Sequence, residues 1–300
     1  RHYMEIRNLY TFLQVASTQN FTQASRILGY SQSNVSTQIQ QLEEDVGAKL
    51  FDRIGRGVVL TQYGQQLVPY AEQIVSLASK MNSMLWSAKD MIGVLRLGMI
   101  ESLFDVCFER LILRYTEHFP KVKVDLTLES TAQLLEMLKK GQLDVACLID
   151  DPLLNVDWNV RYEKEVEISV VAGRQNRLIN ERGLSLAGLA GEKFILMEDI
   201  APYNVHFYHT LAVNDVKIQM FLTLQSARMA RNIVEDSGYL SYLPLYAVQK
   251  SVAAGKIVPL KLLDYTQTEY IQVVLHSGRI ITPQIQGFLE DATAVLENTL

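Results

Sequence analysis

With 300 residues, of which 48% are hydrophobic and 20% charged, the chain can bury the cores of about two globular domains. No run of about 18 apolar residues and no secretory signal pattern is present, so we expect no membrane segment and a cytoplasmic location. The net charge of −5 excludes a broadly basic surface, because residues 1–91 carry eight Lys and Arg against seven Asp and Glu and the rest carry 20 against 26.

Two short helices are predicted first. The first has an apolar face with helical spacing, made of Leu9, Phe12, Leu13 and Ala16. Thr22 is the expected N-cap of the second helix, and Gly29 is expected to end it in a left-handed conformation.

A third helix follows after a tight turn and is capped by Ser31. Its predicted buried stripe consists of Val35, Ile39, Leu42 and Val46. The opposite face and its flanks carry amides and hydroxyls without any charge: Ser33, Asn34, Ser36, Thr37, Gln40 and Gln41. A solvated helix face ordinarily carries Lys and Glu, so this composition favours a helix that enters the major groove of DNA.

A hairpin and a long helix come next. Residues 50–60 alternate in the manner of a two-stranded wing, and the predicted tip presents Arg53 and Arg56. Thr61 is expected to cap a helix of about 28 residues with a heptad seam, which needs a partner chain. The seam residues are Leu67, Tyr70, Ile74, Leu77, Met81, Met84, Ala88 and Met91.

From residue 93 onward, strands and helices alternate. Strands are predicted over 94–100, 122–128 and 145–149 with helices between them, an order typical of a parallel sheet. A second unit of this kind is predicted from strands over 167–172, 194–197 and 217–224, and a strand over 271–275 and a final helix close the chain. Two such lobes enclose a cleft, where ligands bind at the carboxyl ends of the strands.

Cys107 and Cys147 are too few for a disulfide framework and lie in apolar segments. We interpret them as buried core residues, and a redox role is left open.

Five ordered segments resemble the LysR-type transcriptional regulators. They are FTQAS at 21–25, SQSNVS at 31–36, IQQLE at 39–43, GAKLFDR at 47–53 and LTQYG at 60–64. Agreement in residue type and spacing over some 60 positions is specific. Beyond them, Phe119-Pro120 and the segment GQLD at 141–144 are the sharpest points of similarity.

The resemblance implies an N-terminal all-α winged helix-turn-helix over 1–60, a linker helix that dimerises over 61–92, and an α/β two-lobed effector domain, similar to periplasmic binding proteins, over 93–300. In this domain we expect the first lobe to comprise 93–163 and 269–300, and the second 164–268. The expected partners are double-stranded promoter DNA, a small-molecule effector and further copies of the chain in a homodimer and homotetramer. RNA polymerase is a further candidate partner.

By position, the resemblance assigns DNA contacts to the third helix and the wing: Gln32, Ser33, Asn34, Ser36, Thr37, Gln40, Arg53 and Arg56. Thr37 stands where the family commonly has arginine and Asn34 where alanine or proline is common, so base preference cannot be transferred. Because Asn and Gln pair well with adenine edges, Gln32 and Asn34 are the candidates for direct readout.

For the effector, the resemblance indicates strand ends and helix starts of both lobes: Ser102, Thr131, Gln133, Asn204, Gln225 and Ser226. Hydroxyls and amides at helix starts suit anionic groups. Glu101, Asp150 and Glu198 lie nearby in sequence and would repel an anion if they faced the cleft.

Two alternatives remain at this point. An enzyme is disfavoured because we find neither a nucleophile motif nor a Gly-rich phosphate loop, and we expect no cofactor. The pair His206 and His209 has a spacing that could share a metal, but no third ligand is near in sequence and we expect none. A ligand-independent DNA-binding repressor or architectural protein, with an α/β domain used only for oligomerisation, is the other alternative.

Overall fold

A computed structural model describes residues 4–54, 57–85, 88–197 and 201–299. The N-terminal part is a head of three helices and a hairpin, followed by one long helix: α1 (Ile6–Thr18), α2 (Phe21–Leu28), α3 (Gln32–Val46), β1 (Phe51–Ile54), β2 (Gly57–Leu60) and α4 (Gln62–Leu85). β1 and β2 pair in antiparallel register, which confirms the predicted hairpin.

Local cap chemistry determines where the head helices begin and end. The Ser31 hydroxyl accepts a hydrogen bond from the backbone N–H of Asn34, and Gly29 ends α2 at φ +69°, both as predicted. The prediction for Thr22 was wrong. Asn20 caps α2 instead. Its backbone is extended, and its side chain accepts a hydrogen bond from the N–H of Gln23, so Thr22 lies inside the helix.

The head core is formed by apolar side chains from all four helices and the hairpin. Val35, Ile39 and Leu42 are buried as predicted, whereas Val46, in the last turn of α3, is 37% exposed. The long helix also departs from the prediction. α4 is described as far as Leu85, whereas Ala88 lies in a 3₁₀ turn (Ala88–Asp90) and Met91 lies beyond that turn.

The second part of the chain contains the sheet predicted from residue 93 onward. Its strands are β3 (Gly93–Met99), β4 (Val122–Leu128), β5 (Val145–Asp150), β6 (Trp158–Gly173), β7 (Lys193–Met197), β8 (Gln219–Leu224), β9 (Leu240–Pro244), β10 (Ile257–Leu260) and β11 (Gln267–His276). The helices around them are α5 (Glu101–Leu103), which continues through a π-helical turn (Phe104–Phe108) into α6 (Glu109–His118), then α7 (Thr131–Lys139), α8 (Pro202–Val213), α9 (Ala227–Glu235), α10 (Leu245–Ala253) and α11 (Pro283–Thr299).

Within the described residues, eight strands follow the order β4-β3-β5-β11-β6-β9-β7-β8, and β10 pairs with β6. β3 is parallel to β4 and β5, and β7 is parallel to β8 and β9, which confirms two parallel units. The long antiparallel strands β6 and β11 join the two units. β9, β10 and the first half of β6 were not predicted. The lobe boundaries inside β6 and β11 stay a prediction.

The last residue of the GQLD segment, Asp144, forms a buried ion pair. Asp144 is 3% exposed, accepts a hydrogen bond from the N–H of Arg96 at 2.8 Å and pairs with Arg279. It thereby ties β3 and the turn before β5 to the segment after β11.

The head also contacts the first lobe of its own chain. Ile280 packs against the head core, and the Gln23 side-chain amide donates to the carbonyl of Lys140 at 3.1 Å. Among the described residues, no helix combines the length and the apolar character of a membrane span.

Candidate functional site

The exposed face of α3 is the first candidate surface. Gln32, Ser33, Asn34, Thr37 and Gln40 are exposed, and Ser36 is half-buried. All of them are uncharged, so the surface offers hydrogen-bond donors and acceptors of the kind that base edges match.

Two of these side chains are held by hydrogen bonds, Gln32 directly by a neighbouring helix and Asn34 through Gln38 of α3. Gln38 donates its amide to Asn34 Oδ1 at 2.9 Å, and Thr11 of α1 donates to Gln38 Oε1 at 2.5 Å. Thr22 of α2 donates to Gln32 Oε1 at 3.2 Å. The Gln32 and Asn34 amides are therefore partly fixed before any DNA binds.

The hairpin is held beside α3 by a buried glutamate. Glu43 Oε1 accepts hydrogen bonds from the N–H groups of Leu50 and Phe51. Glu43 Oε2 forms an ion pair with Lys49 Nζ at 2.6 Å. At the start of α4, Thr61 accepts from the N–H of Gly64, as predicted. A Cβ at Gly64 would lie 2.3 Å from the Leu50 carbonyl oxygen, so this close approach requires glycine.

The two wing arginines are only partly described. The backbone of Arg53 lies in β1 opposite Val58. The prediction for Arg56 lies outside the described residues.

The second candidate site is a cavity of about 230 Å³ between the two parallel units. It is lined from the first lobe by Ile100, Glu101, Ser102, Leu128, Glu129, Ser130, Thr131 and Ile149, and from the second by Met197, Ala201, Pro202, Tyr203, Gln225 and Ala227. Ser102, Thr131 and Gln225 were predicted to contact an effector. Ser226, the next residue, caps α9.

Two predicted effector residues lie apart from this lining. Gln133 is exposed in the first turn of α7, and its N–H donates to the Ser130 side chain that caps the helix. Asn204 is fully buried, and its side-chain amide donates to the Met197 carbonyl at 3.1 Å. The Asn204 amide thus bonds the last residue of β7, and Asn204 is not among the residues that line the cavity.

Polar groups of the cavity bond across the two lobes. Glu101 Oε1 accepts from the Ser226 hydroxyl at 2.8 Å, and Oε2 accepts from the N–H of Ala227 at 3.0 Å. The Glu101 carboxylate thus occupies the N-terminal end of α9, where the helix dipole favours negative charge. The concern that Glu101 faces the cleft is confirmed. Glu198 lies outside the described residues.

Two further links accompany Glu101. The hydroxyls of Ser102 and Tyr246 lie 2.7 Å apart, and Arg231 donates to Asp105 at 2.8 Å. Burial raises the pKa of the Tyr246 phenol, because removal from water penalises the phenolate. These links involve Tyr246 and Arg231, which sequence reasoning missed because they are distant in the chain from their partners.

Both cysteines are buried. Desolvation raises the pKa of Cys107 to about 12 and that of Cys147 well above the ordinary thiol value. Because the thiolate is the reactive form, these environments favour a packing role.

The fold and the two sites together define a class: a DNA-binding head joined to a two-lobed domain with a ligand cavity. The family model described as "Bacterial regulatory helix-turn-helix protein, lysR family" matches residues 6–65, and the "LysR substrate binding domain" matches residues 88–297. The chain belongs to the LysR family and is a ligand-sensing, DNA-binding transcriptional regulator.

Relatives agree along the full length. The chain is 26% identical over 291 residues to an uncharacterized HTH-type transcriptional regulator, YwqM, of Bacillus subtilis, covering 96% of this chain and 98% of that protein. It is 25% identical to the HTH-type transcriptional activator CmpR of Synechocystis sp., over 93% of this chain and 91% of that protein.

Solved structures share the fold. Full-length HypT of Salmonella typhimurium, a hypochlorite-specific LysR-type transcriptional regulator, superposes with a TM-score of 0.58 at 18% identity, covering 99% of this chain and 100% of that one. The regulatory domain of CcmR of Synechocystis, solved with 2-PG, gives a TM-score of 0.60 at 19% identity over 69% of this chain and 98% of that one.

Proposed function

We propose that α3 reads promoter DNA through Gln32 and Asn34, with Ser33, Ser36, Thr37 and Gln40 contacting bases or phosphates around them. The observation that carries this proposal is the exposed and uncharged face of α3. Arg53 and Arg56 of the wing supply phosphate contacts, which add affinity without sequence choice. A net charge of −5 gives no general attraction to DNA, so these few cations and the helix N-terminus carry the electrostatic part.

The effector is a small molecule without a negative charge at its inner end. Glu101 and Glu129 line the cavity, and among the described lining residues none is Lys, Arg or His. Hydroxyl and amide groups of Ser102, Thr131 and Gln225 support binding of an uncharged polar or cationic compound. The volume of about 230 Å³ suits a small metabolite.

Effector binding alters the DNA complex through the lobes. Ligand groups that bind Glu101 or Ser102 compete with the bonds to Ser226 and Tyr246, so the effector favours one lobe arrangement over another. Subunits paired through α4 then present their heads at a changed spacing, which alters the bend of promoter DNA. We also propose a pair of dimers as the assembled form, contact with RNA polymerase at the promoter, a cytoplasmic location where that DNA lies, and no catalytic activity.

A thermal-shift screen of the full-length protein tests the effector class. Uncharged and cationic metabolites are compared with carboxylates and phosphates of similar size. A ligand present at about 100 times its Kd adds about 2.7 kcal/mol of stability. Stabilisation by anions alone would contradict the proposed class. With a confirmed effector, identical small-angle scattering profiles of the DNA complex with and without it would contradict the change in arrangement.

A further inference from the structure

Three side chains with metal-binding chemistry meet at the junction of the two lobes, apart from the cavity lining. Asp151 directly follows β5, His206 lies on α8, and Glu269 lies in β11. One ligand atom from each of the three lies within 4.8 Å of the other two. His206 Nε2 is 3.9 Å from Asp151 Oδ2, and its Nδ1 is 3.6 Å from Glu269 Oε1.

Glu269 is the unusual member of this group. Its side chain is fully buried, and Oε2 has no hydrogen-bond partner among the described residues. Oε1 accepts one hydrogen bond, from the Gln267 amide at 2.8 Å. A buried carboxylate with an oxygen that lacks a partner is costly, and a cation bound by this carboxylate would offset that cost.

Surrounding groups hold the cluster in place. Gln267 Oε1 accepts hydrogen bonds from the hydroxyls of Tyr242 and Tyr265 at 2.8 and 2.5 Å. This fixes the amide so that Nε2 lies 3.2 Å from His206 Nδ1 and donates to Glu269. Metal-binding carboxylates and imidazoles are commonly oriented by such hydrogen-bonded neighbours.

The local charge also favours a cation. Asp150 adds a third carboxyl group next to Asp151, and none of the three acids forms an ion pair with Lys or Arg among the residues that the structure describes. The basic group within reach is the half-exposed imidazole of His206.

The geometry permits direct coordination. Ligands at about 2.0–2.2 Å from a zinc ion lie roughly 3–3.5 Å from one another, so small side-chain rotations close the present spacing. The side chains of Asp151 and His206 are 66% and 50% exposed, so both have room for these rotations. The buried Glu269 side chain provides the fixed position.

We propose that Asp151, His206 and Glu269 bind a divalent transition-metal ion of the Zn²⁺ type, with water completing the coordination. One imidazole nitrogen and two carboxylate oxygens match the preferences of this class. His209, whose spacing from His206 could suit a shared metal, is not part of the group. Because Asp151 and His206 come from different lobes, a bound ion would join them.

The test uses full-length, metal-stripped protein. Zn²⁺ alone is titrated by calorimetry, and Co²⁺ alone is followed by its visible absorption. We expect one ion per chain, with visible bands that report nitrogen and oxygen ligands. His206→Ala and Asp151→Asn each lower the affinity by at least about tenfold. His209→Ala, an exposed histidine three residues along the same helix, is the matched control and retains the wild-type affinity.

Three results would overturn the proposal: no stoichiometric binding by the wild type, wild-type affinity in His206→Ala, or loss of binding in His209→Ala. Asp151 and His206 are both exposed, so their variants are expected to keep the metal-free melting temperature. The isosteric Glu269→Gln variant provides a further check, because it removes the buried negative charge and is expected to lose the ion while the protein stays folded.

Discussion

The exposed face of α3 and the cavity between the lobes both carry uncharged polar groups, but their hydrogen bonds differ in the elements that they join. On α3 the bonds stay within the N-terminal head, as between Thr37 and the Ser33 carbonyl or between Thr22 of α2 and Gln32. In the cavity they cross between lobes, as between Glu101 and Ser226. Under the proposed assignment, DNA meets a surface that is already formed, whereas an effector enters a site whose own groups bond across the two lobes. The proposed effector would compete with bonds between the lobes, whereas the proposed DNA contacts would not.

The largest expected effect concerns dimerisation through α4, which would present the α3 helices of two subunits to DNA together. Tyr70, Leu77 and Met81 on α4 are 57–65% exposed and follow the heptad seam. Leu77→Lys is expected to turn the dimer into a monomer with a loss of about 4 kcal/mol, because a central apolar contact is worth about 2 kcal/mol and occurs in both subunits. Analytical ultracentrifugation measures it. Gln65→Lys, an exposed position off the seam, is the control, and an equal shift there would argue against the seam.

Next in size is the loss of the interlobe bond in the cavity. Glu101→Ala removes a charged acceptor of two hydrogen bonds and is expected to lower the free energy of unfolding by about 3 kcal/mol. Urea denaturation gives the value. Glu129→Ala removes the same residue type from the same cavity at an exposed position and is expected to change stability by no more than about 0.5 kcal/mol. Equal effects would show that Glu101 does not link the lobes.

On the α3 side, Gln32→Ala is expected to relax sequence choice. A bidentate amide contact to a base is worth about 1–3 kcal/mol of discrimination, so the variant should bind the cognate and the single-site mismatched duplex almost equally. Competition binding with a set of operator variants measures this. Unchanged discrimination at every position would remove Gln32 from direct readout.

The smallest effect concerns the wing. Arg53→Ala is expected to weaken all duplexes to a similar degree and to lower the slope of log K against log salt by about 1, because one phosphate contact is lost. Binding measured over a salt series tests it. A selective loss for one sequence would instead assign Arg53 to base readout.

Sequence reasoning recovered most of the head because its determinants are local. The N-cap at Ser31 and the helix end at Gly29 depend on neighbours within a few residues. The heptad pattern on α4 is a repeat along one helix. The failure at Thr22 has the same origin, since Asn20 and Thr22 can both cap a helix and backbone geometry decides between them.

The effector domain was recovered less fully. Its parallel units follow from alternating strands and helices. The first half of β6 was not predicted, because it carries the exposed charged residues Arg161, Glu163 and Glu165, which are not typical of a strand. The interlobe bonds join residues 125 to 144 positions apart, and the cluster of Asp151, His206 and Glu269 joins three separate elements. No local pattern predicts such contacts, because they arise from the packing of the lobes.

The contact of the head with its own first lobe has a mechanical consequence. A Cβ at Gly278 would lie 2.3 Å from the Cβ of Ser17, and a Cβ at Gly141 would lie 2.8 Å from Ile27, so α1 and α2 rest directly on turns of the sensor. A rotation of that lobe relative to α1 and α2 would break these contacts unless the head moved with it. These contacts connect the sensor to the head directly, beside the longer connection through α4. A side chain at Gly278 would force the two bodies apart, whereas the Ile27 Cδ1 near Gly141 is the end of a flexible side chain.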